Sequence, residues 1–232
     1  MDGFLLIDKP SGWTSFDVVN RTRHIIQASG LNTTNKKRFP VGHAGTLDPL
    51  ATGLMIVMLG NYTKQAQDFS KMDKSYLVQA TLGQTSTTGD EEGEKTLVSL
   101  QQPTEAQVLQ ALEQFKGEIE QTPPIYSAVK INGVRAYALA RKGKVPEIKS
   151  RLVKIYDITE VEYKYPQLDF TVNVSSGTYI RSLVQDVGEV LETGAYTANL
   201  RRLTVANYSV EDAMPVDNLS AESIYQNLQN VD

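Results

Sequence analysis

A single carboxylate stands within a run of glycines, small residues and a proline near the start of the chain. The run covers residues 42–53 and reads Gly-His-Ala-Gly-Thr-Leu-Asp-Pro-Leu-Ala-Thr-Gly, with Asp48 as its only acid. Pro49 fixes its own φ and disfavours helical geometry at Asp48, while the glycines allow positive φ and close backbone approach. The pattern predicts a stiff loop that projects Asp48 into a cleft, where a carboxylate can act as a nucleophile or a base.

Asp48 also has a purely structural interpretation. Most Asp-Pro pairs cap a helix or close an Asx-turn, and the residue types alone do not decide between that role and a chemical one. His43, five residues earlier, is by type a metal ligand or a general base. A small-molecule hydrolase that uses Asp48 with His43 is therefore an alternative, and other segments of the chain must discriminate.

Four further motifs accompany this loop. In chain order they are Leu-Ile-Asp-Lys-Pro-Ser-Gly-Trp-Thr-Ser at 6–15, Lys-Ser-Tyr at 74–76, Pro-Pro-Ile-Tyr-Ser-Ala-Val-Lys at 123–130 and Ser-Gly-Thr-Tyr-Ile-Arg-Ser-Leu at 176–183. Together with the Asp48 loop they resemble the TruB family of tRNA pseudouridine synthases. The matching blocks keep the family's order over residues 4–203, nearly the whole chain.

The resemblance implies an isomerase that converts uridine to pseudouridine at position 55 in the T-loop of tRNA. The reaction breaks the C1′–N1 bond, turns the uracil and joins its C5 to C1′, so we expect no cofactor and no metal. Asp48 is the implied catalytic residue. It attacks C1′, adds to the uracil ring or deprotonates the sugar to give a glycal, and the sequence leaves all three routes open. An RNA-binding tRNA folding factor, with modification secondary, is the alternative from another functional class.

The same resemblance assigns residues that bind a uridine extracted from its RNA loop. Tyr76 is the implied platform beneath the uracil, and Tyr179 is a wall that also hydrogen-bonds. Leu200 resembles the family's apolar or backbone contact to the base. His43 resembles the histidine that helps to replace the target nucleotide in the RNA stack. Outside these motifs, the two tyrosines would be interpreted as core residues with satisfied hydroxyls, and Leu200 as a plain strand residue.

Arg181 is the expected partner of Asp48. Burial in a closed pocket raises the pKa of a carboxyl group unless a nearby cation favours the charged form. A guanidinium can pair with a carboxylate through two hydrogen bonds. Alone, Arg181 would be a surface or structural arginine, but its place next to Tyr179 in the last motif favours the functional role.

Charge is unevenly distributed along the chain. The net charge of −4 argues mildly against nucleic-acid binding, but residues 130–154 hold eight basic residues and one acid, Glu147. Residues 21–38 hold five basic residues and no acid, whereas residues 204–232 hold five acids and no basic residue. A charge run is usually a solvated face, so charge alone does not establish RNA binding.

The resemblance places residues 124–150 in a segment that grips the RNA. Phosphate contacts position RNA without reading its sequence. The basic residues that fit such contacts are Lys64, Lys130, Arg141 and Lys142. The expected partner is the T-arm stem-loop of tRNA, and no obligate protein partner is evident.

Composition narrows the class of protein. The chain has 232 residues, no cysteine and two histidines, which excludes a disulfide scaffold and a thiolate zinc site. Its start lacks the pattern of a signal peptide, and no apolar run approaches the roughly 20 residues of a membrane span. We expect a cytoplasmic protein that does not insert in membranes.

Apolar periodicity and turn residues predict the elements that position these motifs. Strands are predicted over 4–7, 54–59, 76–82, 151–163, 168–174 and 196–205, and helices over 15–29, 104–115, 135–142 and 180–192. Ser15 is the predicted N-cap of the first helix, whose periodic positions include Phe16. Val190 is placed on the apolar face of the last helix, and residues 85–96 are predicted as a surface loop.

The mixture of hairpin-like strands and helices favours an α+β fold. The resemblance implies a pseudouridine synthase fold: a long, mixed, mainly antiparallel sheet with flanking helices and a central active-site cleft. The predicted domains are a catalytic domain over 1–210, including the RNA-gripping insertion at about 124–150, and a short acidic C-terminal tail over 211–232. We expect no PUA domain, which bacterial family members usually carry.

Overall fold

The protein is an α+β fold in which a large mixed sheet is flanked by helices, as predicted. The structure, a computed structural model, describes residues 1–32, 38–127, 129–131, 133–140, 142–143 and 147–230. The chain divides into two compact units. Unit 1 comprises Met1–Lys74 and Arg201–Asp232, and unit 2 comprises Ser75–Leu200.

The strands and helices follow the predicted order, with additional short elements. The strands are β1 (Gly3–Lys9), β2 (Val41–His43), β3 (Thr52–Leu59), β4 (Lys74–Leu82), β5 (Gln84–Ser86), β6 (Lys95–Leu97), β7 (Gly117–Gln121), β8 (Lys130–Ile131), β9 (Val134–Arg135), β10 (Arg151–Lys164), β11 (Gln167–Val174), β12 (Ala195–Val205), β13 (Tyr208–Ser209) and β14 (Met214–Pro215). The α-helices are α1 (Ser15–Ala28), α2 (Ala66–Ser70), α3 (Glu105–Glu113), α4 (Ala136–Ala140), α5 (Ile180–Val190) and α6 (Ala221–Gln226). Short 3₁₀ helices cover Gly60–Gln65, Val210–Asp212 and Val216–Asn218.

The sheet strands of unit 1 are built on two continuous apolar segments. β1 and β3 pair antiparallel along the whole of β1, and β2 also pairs antiparallel with β3. Residues 4–7 and 54–59 are buried, which is the pattern of strands covered on both faces. β14 pairs parallel with β1, and the end of β12 pairs parallel with β3.

Gly53 permits the approach of β12 to β3. Its φ is +100°, in the region that favours glycine, and a Cβ at this position would overlap the Arg202 carbonyl oxygen. Arg202 is the residue that pairs with Gly53 in the parallel ladder. Any larger residue at position 53 would therefore force the two strands apart.

Within unit 2 the order of the sheet strands is β12, β4, β11, β10 and β7. β10 pairs antiparallel with β11 on one side and with β7 on the other. In β4 the side chains alternate as predicted: Tyr76 and Val78 are buried, whereas Leu77 and Gln79 are exposed. The alternation follows from the period of two in a strand that has one covered face.

Two predictions of helix faces and one of a loop were wrong. Phe16 is 57% exposed and Val190 is 44% exposed, because other residues form the buried face of each helix. Residues 85–96 are not a plain loop, since β5 and β6 pair there as an antiparallel hairpin. The prediction failed because this hairpin lacks the apolar alternation that marks longer strands.

None of the helices in the described part of the chain combines the length and apolarity needed to cross a membrane.

Candidate active site

The Asp48 loop leads from the end of β2 to the start of β3. Immediately after β2, the Ala44 amide donates to the Ile56 carbonyl of β3 at 3.0 Å. Within the loop, the Ala51 amide donates to the Asp48 carbonyl at 3.1 Å. Asp48 itself is half-buried. The carboxylate is therefore carried on a turn that is tied back to the sheet.

Two donors hold the loop on the C-terminal side of the aspartate. The Pro49 carbonyl accepts hydrogen bonds from the Gly12 amide at 2.9 Å and from Lys9 Nζ at 3.2 Å. Lys9 is fully buried, and its ammonium also donates to the carbonyls of Pro10 at 2.9 Å and Trp13 at 2.6 Å. The buried cation thus joins the loop to the segment between β1 and α1.

The N-cap of α1 is Thr14 and not Ser15, which corrects the prediction. The Thr14 hydroxyl accepts from the Asp17 amide at 3.1 Å, and the Asp17 carboxylate accepts from the Thr14 amide at 2.9 Å. The Ser15 hydroxyl instead donates to the Leu47 carbonyl at 2.9 Å and accepts from the Leu47 amide at 2.8 Å. The residue before Asp48 is thereby held from α1.

Two further cations lie near the Gly45 end of the loop. Arg202 is buried and donates from Nη2 to the Gly45 carbonyl at 3.3 Å. Lys74 is also buried, and its ammonium donates to the carbonyls of Ser70, at 3.0 Å, and Met72. Burial, with repulsion from Arg202, lowers the pKa of Lys74 to about 8.

The other predicted residues of unit 1 differ in burial. His43 ends β2 and is half-buried, and Lys64 lies exposed on the 3₁₀ helix that follows β3. Arg23, from the basic run at 21–38, is instead buried and donates to the Val41 carbonyl at 2.8 Å. This hydrogen bond links α1 to β2, and desolvation lowers the pKa of Arg23.

Arg181 lies in the first turn of α5 and is buried within unit 2. Its Nη1 is 3.3 Å from Asp90 Oδ2 and donates to the Thr88 carbonyl at 2.9 Å. Its Nη2 donates to the Tyr126 carbonyl at 2.8 Å. The guanidinium is therefore held in one orientation by the hairpin segment and by the segment that follows β7.

Asp90 is the residue that sequence reasoning missed. It is buried, and its carboxylate accepts hydrogen bonds from the Thr88 hydroxyl and, at 3.1 Å, from the Glu92 amide, besides its ion pair with Arg181. The run of threonines and a glycine before Asp90 favours such a turn, and this signal could have identified it.

Tyr179 is held at both of its backbone groups. Its amide donates to Gln121 Oε1 at 2.7 Å, and its carbonyl accepts from Gln121 Nε2 at 3.1 Å. The Arg151 guanidinium lies 5.1 Å from the centre of the tyrosine ring, within the range of a cation–π contact, and donates to the Gly177 carbonyl. Tyr179 is half-buried at the start of α5.

Tyr76 and Leu200 lie on neighbouring strands of unit 2, β4 and β12, and both are buried. Among the predicted RNA contacts, Lys130 in β8 and Lys142 after α4 are exposed. Arg141 lies outside the described residues.

The predicted residues are divided between the two units. Unit 1 contains His43, Asp48 and Lys64. Unit 2 contains Tyr76, Lys130, Lys142, Tyr179, Arg181 and Leu200. The expected pairing of Asp48 with Arg181 stays a prediction. In the described part of the chain, no cluster of three or more histidine or acidic side chains has the arrangement of a metal site.

Comparison with known families agrees with the motif order. Residues 32–180 match the N-terminal domain of the TruB family pseudouridylate synthases, and residues 181–231 match the C-terminal domain of tRNA pseudouridylate synthase B. This chain belongs to the TruB family. It is therefore an enzyme of the isomerase class, as the resemblance implied, and the hydrolase alternative has no support.

Relatives within the TruB family match along the chain. The tRNA pseudouridine synthase B of Clostridium kluyveri is 40% identical over 232 residues, covering 100% of this chain and 77% of the relative. The enzyme of the same name from Haemophilus influenzae (strain PittEE) is 42% identical, covering 94% of this chain and 68% of the relative. That from Phocaeicola vulgatus is 41% identical, covering 98% of this chain and 95% of the relative.

Solved structures agree with the pseudouridine synthase fold. A chain of an H/ACA RNP bound to a substrate RNA containing 2′-deoxyuridine matches 97% of this chain with a TM-score of 0.68 and 25% identity, over 54% of its own length. A chain of a Cbf5–Nop10–Gar1 complex also matches 97% of this chain with a TM-score of 0.68, with 29% identity over 55% of its length. This chain thus spans about half the length of those two chains.

Proposed function

We propose that this TruB family member isomerises uridine 55 in the T-loop of tRNA, with Asp48 as the catalytic residue. The observation that carries the proposal is the support of the Asp48 loop on both sides of the carboxylate, by Ser15 and by Lys9 with Gly12. A preorganised group of this kind favours chemistry, because the geometry needed for reaction is set before the substrate binds. The relatives named tRNA pseudouridine synthase B supply the substrate class.

The proposed reaction balances within the nucleotide. The C1′–N1 bond breaks, the detached uracil turns, C5 bonds to C1′, N1 gains a proton and C5 loses one. A carboxylate can assist by attacking C1′, by adding to the uracil ring or by removing a sugar proton to give a glycal. Each route needs the ionised form of Asp48 close to the ribose or the base, and none needs an external reductant or oxidant.

Base binding is assigned to side chains from the family motifs. We propose that the target uridine leaves its stack, with Tyr76 beneath the uracil, Tyr179 against it and Leu200 as an apolar contact. The hydrogen bonds of Gln121 to the Tyr179 backbone support this role, since they fix the backbone from which the tyrosine ring extends. His43 is proposed to help fill the place that the uridine vacates.

Arg181 is proposed to favour the ionised form of the Asp48 carboxylate. Three groups hold the guanidinium within unit 2, and they support this role. A cation that is already fixed in one orientation loses no conformational freedom when the tRNA binds. The proposal predicts that loss of Arg181 slows turnover more than it weakens tRNA binding.

The substrate is proposed to be captured through its T-arm stem-loop. Lys64, Lys130 and Lys142 are exposed, as phosphate contacts must be, and Arg141 is assigned with them from the sequence.

The division into a catalytic domain over 1–210 and an acidic tail over 211–232 remains a proposal. A tRNA folding factor with secondary modification activity is the competing function, and it requires tRNA binding but not Asp48.

The test replaces Asp48 with asparagine, which removes the charge and nearly preserves the volume. Purified Asp48→Asn and wild-type proteins are incubated with an unmodified tRNA transcript, and pseudouridine is mapped by position. We expect the Asp48→Asn variant to form no product and to bind tRNA with an affinity within a few-fold of wild type. We expect the wild-type protein to form pseudouridine at position 55. The exposed Asp68→Asn variant is the matched control and should keep wild-type turnover.

Product formation by Asp48→Asn at the wild-type rate would overturn the proposed role of this residue. Product at another uridine would overturn the T-loop assignment alone. If the variant lacks modification activity but still promotes tRNA folding as well as wild type, the folding-factor function is favoured.

A further inference from the structure

We propose that Ser15 is a positioning residue for Asp48, a role that rests on the proposed catalytic function of Asp48. Its hydroxyl bonds to both backbone groups of Leu47, donating to the carbonyl at 2.9 Å and accepting from the amide at 2.8 Å. The Leu47 carbonyl belongs to the peptide group that includes the Asp48 nitrogen. Ser15 therefore holds the peptide plane from which the aspartate side chain extends.

The two flanks of the aspartate are held differently. On the C-terminal flank, two donors from separate residues, Gly12 and Lys9, share the Pro49 carbonyl. On the N-terminal flank, within the described residues, Ser15 supplies both hydrogen bonds to the Leu47 backbone. Loss of one hydroxyl would therefore remove both of these hydrogen bonds to Leu47 at once, whereas the Pro49 carbonyl would keep one donor if the other were lost.

Ser15 can act in this way because its own position is fixed. The capping box between Thr14 and Asp17 sets the start of α1, and Ser15 is the first residue of that helix. Because Thr14 accepts the capping hydrogen bond, the Ser15 hydroxyl is not used by the helix and faces Leu47 instead. One hydroxyl thus links the start of α1 to the Asp48 loop.

Water has little access to replace this hydroxyl. Ser15 and Leu47 are each 3% exposed, so an alanine at position 15 would leave a buried amide and a buried carbonyl without their partner. The loop would have to shift to satisfy them. A displacement of about 1 Å at a reacting group can lower a rate by about 100-fold.

The test compares Ser15→Ala with Thr22→Val. Thr22 is a buried residue of the same helix whose hydroxyl donates to the Val18 carbonyl at 2.9 Å, so the control removes a buried hydroxyl without touching the Asp48 loop. Single-turnover rates at saturating tRNA, tRNA affinity and melting temperature are measured for both variants. We expect Ser15→Ala to lower the rate by about 10- to 100-fold, with affinity within about threefold of wild type.

Thr22→Val should keep the rate within about twofold of wild type, even if its melting temperature falls as far as that of Ser15→Ala. Ser15→Thr, which retains the hydroxyl, should recover most of the rate. A Ser15→Ala rate equal to that of Thr22→Val would overturn the inference. So would a loss confined to tRNA affinity, or a loss of rate that tracks melting temperature across the three variants.

The Asp48→Asn experiment separates the two proposals. If Asp48→Asn is inactive and Ser15→Ala is as fast as wild type, the positioning role fails while the catalytic assignment stands. If Asp48→Asn is active, the catalytic assignment fails, and with it the reason for Ser15 to influence the rate.

Discussion

Arg181 and Asp90 form a buried ion pair, with Nη1 3.3 Å from Oδ2 and each side chain 5% exposed. The pair is completed by hydrogen bonds from the guanidinium to two backbone carbonyls and from the Thr88 hydroxyl and the Glu92 amide to the carboxylate. Such pairs are stable only when the remaining polar atoms are also satisfied. Asp90 therefore fixes Arg181, and removal of either partner should leave an uncompensated buried charge.

Arg181→Met should destabilise the protein by about 3–5 kcal/mol, because it strands the Asp90 carboxylate. Arg181→Met combined with Asp90→Leu should recover much of the free energy of unfolding but not turnover, since the cation is still absent. Urea unfolding and single-turnover assays measure the two effects. Lys116→Met, which removes ion pairs with the exposed carboxylates of Glu113 and Asp157, is the control and should change stability little.

Equal stability of Arg181→Met and wild type would show that the ion pair is not needed by the fold. Recovery of turnover in the double variant would show instead that Arg181 acts only through structure. A low rate that partly recovers at higher pH in the double variant would favour the proposed effect of the cation on Asp48 ionisation.

Lys74 should make stability depend on pH. Burial lowers the pKa of Lys74 from its usual 10.5 to about 8, so between these values the unfolded chain binds more protons than the folded protein. The free energy of unfolding of wild type, relative to Lys74→Met, should therefore rise as the pH increases from 8 to 10.5. At about 1.4 kcal/mol per pKa unit, the rise is at most about 3.5 kcal/mol.

Chemical denaturation at several pH values measures this difference. Lys71→Met, at an exposed neighbouring lysine, controls for the general effect of removing a positive charge. The difference in free energy of unfolding between wild type and Lys74→Met would contradict the low pKa of Lys74 if it did not change with pH or if it fell.

The basic insertion should dominate the salt dependence of tRNA binding. Replacing Lys130, Arg141 and Lys142 with glutamine should weaken affinity. The slope of log affinity against log salt should also flatten, by roughly 0.7–0.9 for each phosphate that the variant no longer neutralises. Turnover at saturating tRNA should fall much less. Affinity measured at several salt concentrations tests this expectation.

The matched control replaces Arg38, Lys71 and Lys164 with glutamine, which changes the net charge equally at exposed positions outside the insertion. Identical salt slopes for wild type and the insertion variant would show that residues 130–142 form only a solvated face. Identical slopes for the two triple variants would show that overall charge, and not the insertion, governs binding.

Long periodic elements were predictable because their signals are local. The strand predicted over 76–82 follows from period-two alternation and lies within β4, and the helix predicted over 104–115 contains α3, which begins with a capping box between Thr104 and Gln107. The family was also predictable, because several rare motifs occur in one order. Errors fell where tertiary packing decides the outcome: Phe16 has the residue type and spacing of a core position, yet the buried arc of α1 lies elsewhere.

The sequence by itself determined the family, the enzyme class and the α+β fold, because motif order and apolar periodicity are written along the chain. Tertiary structure alone decided which polar groups from distant parts of the chain meet. Ser15 and Leu47 are 32 residues apart, and Arg181 and the Thr88 carbonyl are 93 apart. No local pattern specifies such contacts, because they arise only when packing brings distant buried groups together and each must find a partner.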